Sequence, residues 1–112
     1  MHFLCQRDDI PDPGAKGFVV DQQPLFAVHR YGDIFVYRNA CPHLGIELEW
    51  MPDQFLDRDG ELIQCATHGA LFLIDTGACV AGPCTGQALE PLPFTVQDGA
   101  IYLLSPAAAA KD

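Results

Sequence analysis

Cys41-Pro42-His43-Leu44-Gly45 and Cys65-Ala66-Thr67-His68-Gly69 are the two stretches around which the rest of this chain is read. Each offers one thiolate and one imidazole close to a glycine. Two Cys and two His divided this way can hold a four-coordinate metal. They can equally hold a two-iron cluster, with sulfur ligands on one iron and nitrogen on the other. Zinc modules usually pair Cys with Cys and His with His on separate elements, whereas each stretch here mixes the types. A Cys-His hydrolase needs a nucleophile and base beside an oxyanion hole, and two matched pairs exceed that requirement.

Outward from these stretches, helical periodicity is almost absent. Short apolar runs separated by turn residues predict strands in an all-β, antiparallel β-sandwich. The runs are Phe18-Val19-Val20, Leu25-Phe26-Ala27-Val28, Ile34-Phe35-Val36-Tyr37, Leu62-Ile63-Gln64, Leu71-Phe72-Leu73-Ile74, Ala78-Cys79-Val80, Phe94-Thr95-Val96 and Ala100-Ile101-Tyr102-Leu103. Tyr31-Gly32-Asp33 and Gln97-Asp98-Gly99 read as hairpin turns. Both Cys/His stretches fall between strands, where a β scaffold presents side chains rigidly near the surface.

The 112 residues fit one domain, read here as 1–105 with a loose tail at 106–112. A net charge of −9 argues against nucleic acid and anionic membrane surfaces. It suits a basic partner and simple solubility equally well. Met1 to Ile10 lacks the pattern of a signal peptide, and no run nears the roughly 20 apolar residues of a membrane span. The expected location is therefore the cytoplasm, where Cys5, Cys79 and Cys84 stay reduced. Cys79 and Cys84 are near enough in sequence to pair, but read better as small buried thiols. His2 reads as part of a solvated terminus, His29 as a strand-surface residue, and Tyr31, Tyr37 and Tyr102 as packing residues.

Cys-x-His-x-Gly on one loop and Cys-x-x-His-Gly on another resemble the ligand signature of the Rieske family, and the likeness extends over most of the chain. The resemblance implies one [2Fe-2S] cluster per chain and a cluster-binding subdomain at about 39–84. Cys41 and Cys65 would bind the inner iron, with His43 and His68 on the outer iron through Nδ1. Gly45 and Gly69 would allow backbone amides to approach the cluster closely, Ala70 would also lie beside it, and a proline loop at Ala81-Gly82-Pro83-Cys84 would cover it. Two ferric ions, two sulfides and two thiolates sum to zero, so imidazole ligation makes reduction easier than in a four-cysteine cluster.

Departures from the family pattern refine the reading. High-potential respiratory members carry a disulfide between the ligand loops; Ile46 and Thr67 stand at those positions and cannot form it. Hydroxyl donors that follow the second ligand His in those proteins are replaced by Ala70 and Phe72. The expected potential therefore lies toward the lower part of the Rieske span, from about −150 mV to somewhat above zero. Between His43 and Cys65 lie 21 residues, several more than Rieske ferredoxins usually have. The surplus, within 46–62, contains Trp50, Met51, Pro52 and Phe55 among acidic residues. It reads as a longer hairpin capping the core, with a partner-docking flap as the alternative; Asp59-Gly60 would turn it back.

The resemblance implies a monomeric one-electron carrier, not an enzyme by itself, passing electrons from a flavin reductase to a terminal oxygenase. An electron-entry or redox-sensing subunit of a larger oxidoreductase, and a structural zinc module, are the alternatives.

Overall fold

Leu25, Phe26, Ala27 and Val28 are all fully buried, because the strand that carries them is covered on both faces. This explains why the run is continuously apolar rather than alternating. The computed structural model describes residues 2–40, 42, 48, 53–66 and 69–104. Its strands are β1 (His2–Gln6), β2 (Gly14–Val20), β3 (Gln23–Arg30), β4 (Asp33–Arg38), β5 (Leu62–Gln64), β6 (Leu71–Leu73), β7 (Cys79–Ala81), β8 (Phe94–Gln97) and β9 (Ala100–Leu103). They form three antiparallel sheets, ordered β1-β9-β8, β2-β3-β4 and β5-β6-β7.

Alternation along β3 and β4 assigns each side chain to one of two cores. Leu25, Ala27, Ile34 and Val36 join Cys5, Ile101 and Leu103 from the β1-β9-β8 sheet. Phe26, Val28 and Tyr37 face the other way, toward Ile63, Phe72 and Cys79 of the β5-β6-β7 sheet. The middle sheet thus makes a sandwich with the terminal strands and carries the third sheet on its opposite face. Every expected strand is present, with Ile74 in the turn after β6 rather than inside it.

Two hairpin turns match their sequence signals. Tyr31-Gly32 and Asp98-Gly99 each place both central residues at positive φ, from 53° to 79°, as the tight primed turns require. One strand was not anticipated. β1 pairs with β9, His2 opposite Leu103, so His2 lies in a sheet while its side chain is exposed as expected. Its partner is remote in sequence, and local pattern carries no trace of such pairing.

Two other side chains depart from expectation. His29 is not a free surface residue: its Nδ1 lies 2.7 Å from the Ile10 carbonyl and its Nε2 3.8 Å from Asp12. Tyr31 is 63% exposed rather than packed. It stacks under the Arg30 guanidinium at 4.3 Å and donates to Glu61 Oε1 at 2.9 Å. Arg30 is also ion-paired with Glu61.

These contacts fasten the surplus segment to the β3–β4 hairpin. Asp53 Oδ1 accepts from the Gly17 amide at 2.8 Å and fastens it to β2 as well. Phe55 is fully buried and stacks on Phe26 with centroids 4.4 Å apart and rings 7° from parallel. The Gly60 amide bonds to Asp57 O at 3.1 Å, closing the expected turn. Phe55 therefore serves the core; Trp50, Met51 and Pro52 lie outside the described residues.

Candidate metal centre

Of the four candidate ligands, Cys65 is described; Cys41, His43 and His68 lie outside the described residues, as does Gly45. Cys65 directly follows β5, has no exposed surface, and carries no disulfide. A tight turn starts from it. The Gly69 amide donates to Cys65 O at 2.8 Å, and the Cys65 amide donates to Ala70 O at 2.9 Å. Gly69 stands at φ +69°, and a Cβ there would meet no atom within 4 Å. Its glycine requirement is thus conformational. Its own amide is used within the turn.

The ends of the other loop are equally defined. Asn39 is a buried polar residue at 3% exposure, and its Oδ1 accepts from the Leu48 amide at 2.8 Å. Leu48 O in turn accepts from the Ala66 amide at 2.8 Å. A chain of two hydrogen bonds therefore joins the start of the first Cys/His loop, its end, and the second loop. Asn39 and Leu48 were not recognised from sequence as part of the site. The available signal was an Asn two positions before Cys41, since Asn side chains bond nearby backbone and shape turns.

The proline loop closes a third side. A Cβ at Gly82 would lie 2.7 Å from Ala70 Cα, so this loop rests directly on the end of the second ligand loop. Gly82 is also at φ +99°; only glycine meets both demands. Pro83 is exposed, while Ala70 and Phe72 are fully buried beside Cys65. Neither carries a hydroxyl. Beneath the sheet, Tyr37 donates to Ile74 O at 2.6 Å, and burial, aided by Asp75, pushes its pKa up to about 12.

The described part of the site fits a thiolate-bound group. Cys65 is a buried, unbridged thiol at a loop whose outer side is open at Gly69, and its neighbours Ala70, Phe72 and Leu48 exclude water. Among the described residues no three metal-ligating side chains meet, since Cys65 alone of the four candidates is among them.

Comparison with known proteins agrees. Residues 1–101 match the family described as the Rieske [2Fe-2S] domain. The ferredoxin subunit of 3-phenylpropionate/cinnamic acid dioxygenase from Photorhabdus laumondii is 30% identical over 102 residues, 90% of each chain. Among solved structures, the ferredoxin of Sphingomonas yanoikuyae B1 superimposes with a TM-score of 0.73 at 30% identity, covering 93% of this chain and 97% of that one. The ferredoxin of carbazole 1,9a-dioxygenase from Nocardioides aromaticivorans IC177 shares the fold, with a TM-score of 0.72 at 20% identity over 92% and 97% of the two chains. With its layered sheets, clipped loops and glycine-proline cover in place, this chain belongs to the Rieske [2Fe-2S] domain family.

Proposed function

We propose that Cys41 and Cys65 hold one iron as thiolates and His43 and His68 hold the other through ring nitrogen, and that the chain is the ferredoxin component of an oxygenase system. As a Rieske [2Fe-2S] domain it carries one [2Fe-2S] cluster, which supplies a one-electron couple, and it acts as a carrier rather than a catalyst. The observation that supports this ligand set best is the Asn39–Leu48–Ala66 chain of hydrogen bonds. It ties the loop containing Cys41 and His43 to the loop containing Cys65 and His68 without using any ligand side chain. Leu48, Ala70 and Phe72 keep water from Cys65, as a thiolate sulfur shielded from protonation requires.

The proposed acceptor is a terminal oxygenase, as the name of the Photorhabdus relative, a dioxygenase ferredoxin subunit, suggests; the proposed donor is a flavin reductase. The net charge of −9 favours partners with basic docking faces. No described helix is long and apolar enough to cross a membrane, and we place the protein in the cytoplasm as a monomer. The domain spans 1–105 in this reading.

Electron paramagnetic resonance of the reduced protein tests the ligand set. A rhombic signal of low average g, lost on changing His43 or His68 to Ala, is the expected result. A colourless protein binding zinc with no acid-labile sulfide overturns it. Purification as a soluble monomer that cycles reversibly supports the carrier role. Obligatory co-purification with a larger polypeptide replaces it with a bound electron-entry subunit.

A further inference from the structure

Four residues separate Cys79 from Cys84 in sequence, yet their sulfurs lie 3.0 Å apart. Cys79 is 6% exposed and Cys84 1%. Cys79 sits on β7, and Cys84 follows the proline of the loop that rests on Ala70. The Cys79 amide donates to Gln87 O at 2.9 Å and the Gln87 amide donates to Cys84 O at 2.9 Å, so both backbones are held in place. The Cys84 thiol is directed at the Cys79 sulfur, and the Cys79 thiol at Ala81 O, 3.2 Å away.

The spacing discriminates between uses of the pair. Two thiolates on one tetrahedral metal, with bonds of about 2.3 Å, stand about 3.8 Å apart. The observed separation is too short for that. It exceeds a disulfide bond of about 2.05 Å by only about 1 Å, a gap that small side-chain rotations close.

We propose that Cys79 and Cys84 are an oxidisable dithiol that closes into an intramolecular disulfide across the base of the proline loop. With hydrogen peroxide as oxidant, one thiolate attacks a peroxide oxygen and the O–O bond breaks, giving a sulfenic acid and one water after proton transfer. The second thiolate attacks that sulfur and displaces hydroxide, which leaves as a second water. Two thiols and one peroxide thus yield one disulfide and two waters. Access comes from the loop itself. Gly82, Pro83, Thr85 and Gly86 are exposed, and the turn is held by Thr85, whose hydroxyl and amide donate to Gly82 O at 2.8 and 3.3 Å. Local opening of such a turn exposes Cys84 without unfolding β7. Once formed, the bridge fastens the loop against Ala70. Neither cysteine belongs to the proposed ligand set, so the inference stands or falls apart from that assignment.

The test treats the cluster-loaded protein with stepwise hydrogen peroxide, unfolds it in excess N-ethylmaleimide and maps the digested thiols by mass spectrometry. The expected result is joint loss of alkylation at Cys79 and Cys84, in one peptide lighter by two hydrogens, reversed by dithiothreitol. In Cys84→Ser, Cys79 should accumulate as a dimedone-trapped sulfenic acid instead. Full alkylation of both thiols at doses that already bleach the cluster overturns the proposal. So does bridging of either to another cysteine or to a second chain. The wild-type map decides even if the variant fails to fold. Amide exchange at Thr85 should slow by about tenfold in the oxidised form; unchanged exchange overturns the fastening of the loop.

Discussion

Leu48 O accepts a 2.8 Å hydrogen bond from the Ala66 amide, and this bond joins the two loops that carry the proposed ligands. Leu48 is itself fully buried and held at its amide by Asn39. The separation of the two loops is thereby set by backbone and by one buried amide side chain.

Replacing Asn39 with Ala leaves the Leu48 amide without this acceptor in a buried setting. The loss should cost about 1–3 kcal/mol, read as a lower thermal midpoint. Cluster loss during dilution into chelator should also accelerate, because the first loop is no longer tied. Equal midpoints and equal loss rates for the two proteins would dismiss the clip.

Phe55 stacks on Phe26 in the core between the middle and third sheets. Truncation to Ala should destabilise by about 3–5 kcal/mol, measured by urea unfolding. A change below about 0.5 kcal/mol would mean the segment around it is peripheral.

Ala70 and Phe72 present no hydroxyl beside Cys65. Ala70→Ser should raise the reduction potential, since hydrogen bonds to cluster sulfurs favour the reduced state. A redox titration of both proteins checks the direction. The unmodified protein is expected within about −150 mV to somewhat above zero, and a value near +300 mV would contradict the missing-donor argument.

Tyr37 holds its phenolic proton up to about pH 12, mainly through burial, against an ordinary value of 10.0. The unfolded chain releases that proton first as pH rises, so the native state binds more protons in this window. Stability contributed by this shift is complete below pH 10 and is lost as pH climbs toward 12. Urea midpoints should fall across that range, and Tyr37→Phe should flatten the fall while lowering stability at neutral pH through loss of the bond to Ile74.

Much of the architecture was legible from local pattern. The apolar run Leu25 to Val28 marks a strand, and the Asp98-Gly99 and Tyr31-Gly32 turns announce the hairpins they form. Ala70 and Phe72 were identifiable as hydroxyl-free positions by resemblance alone. β1 was missed because its strand partner lies at the other end of the described chain, and His29 because its carbonyl partner, Ile10, belongs to a different segment.

The sequence by itself carried the family resemblance, the candidate ligand residues and the positions of every described strand but β1, since each is written in residue types at short spacing. Only the tertiary structure decided which apolar run faces which core, that Leu48 joins the two loops, and that the Cys79 and Cys84 sulfurs meet. Those outcomes depend on pairings between distant segments and on side-chain direction, which solvent exclusion and backbone hydrogen bonding settle only when the whole chain packs.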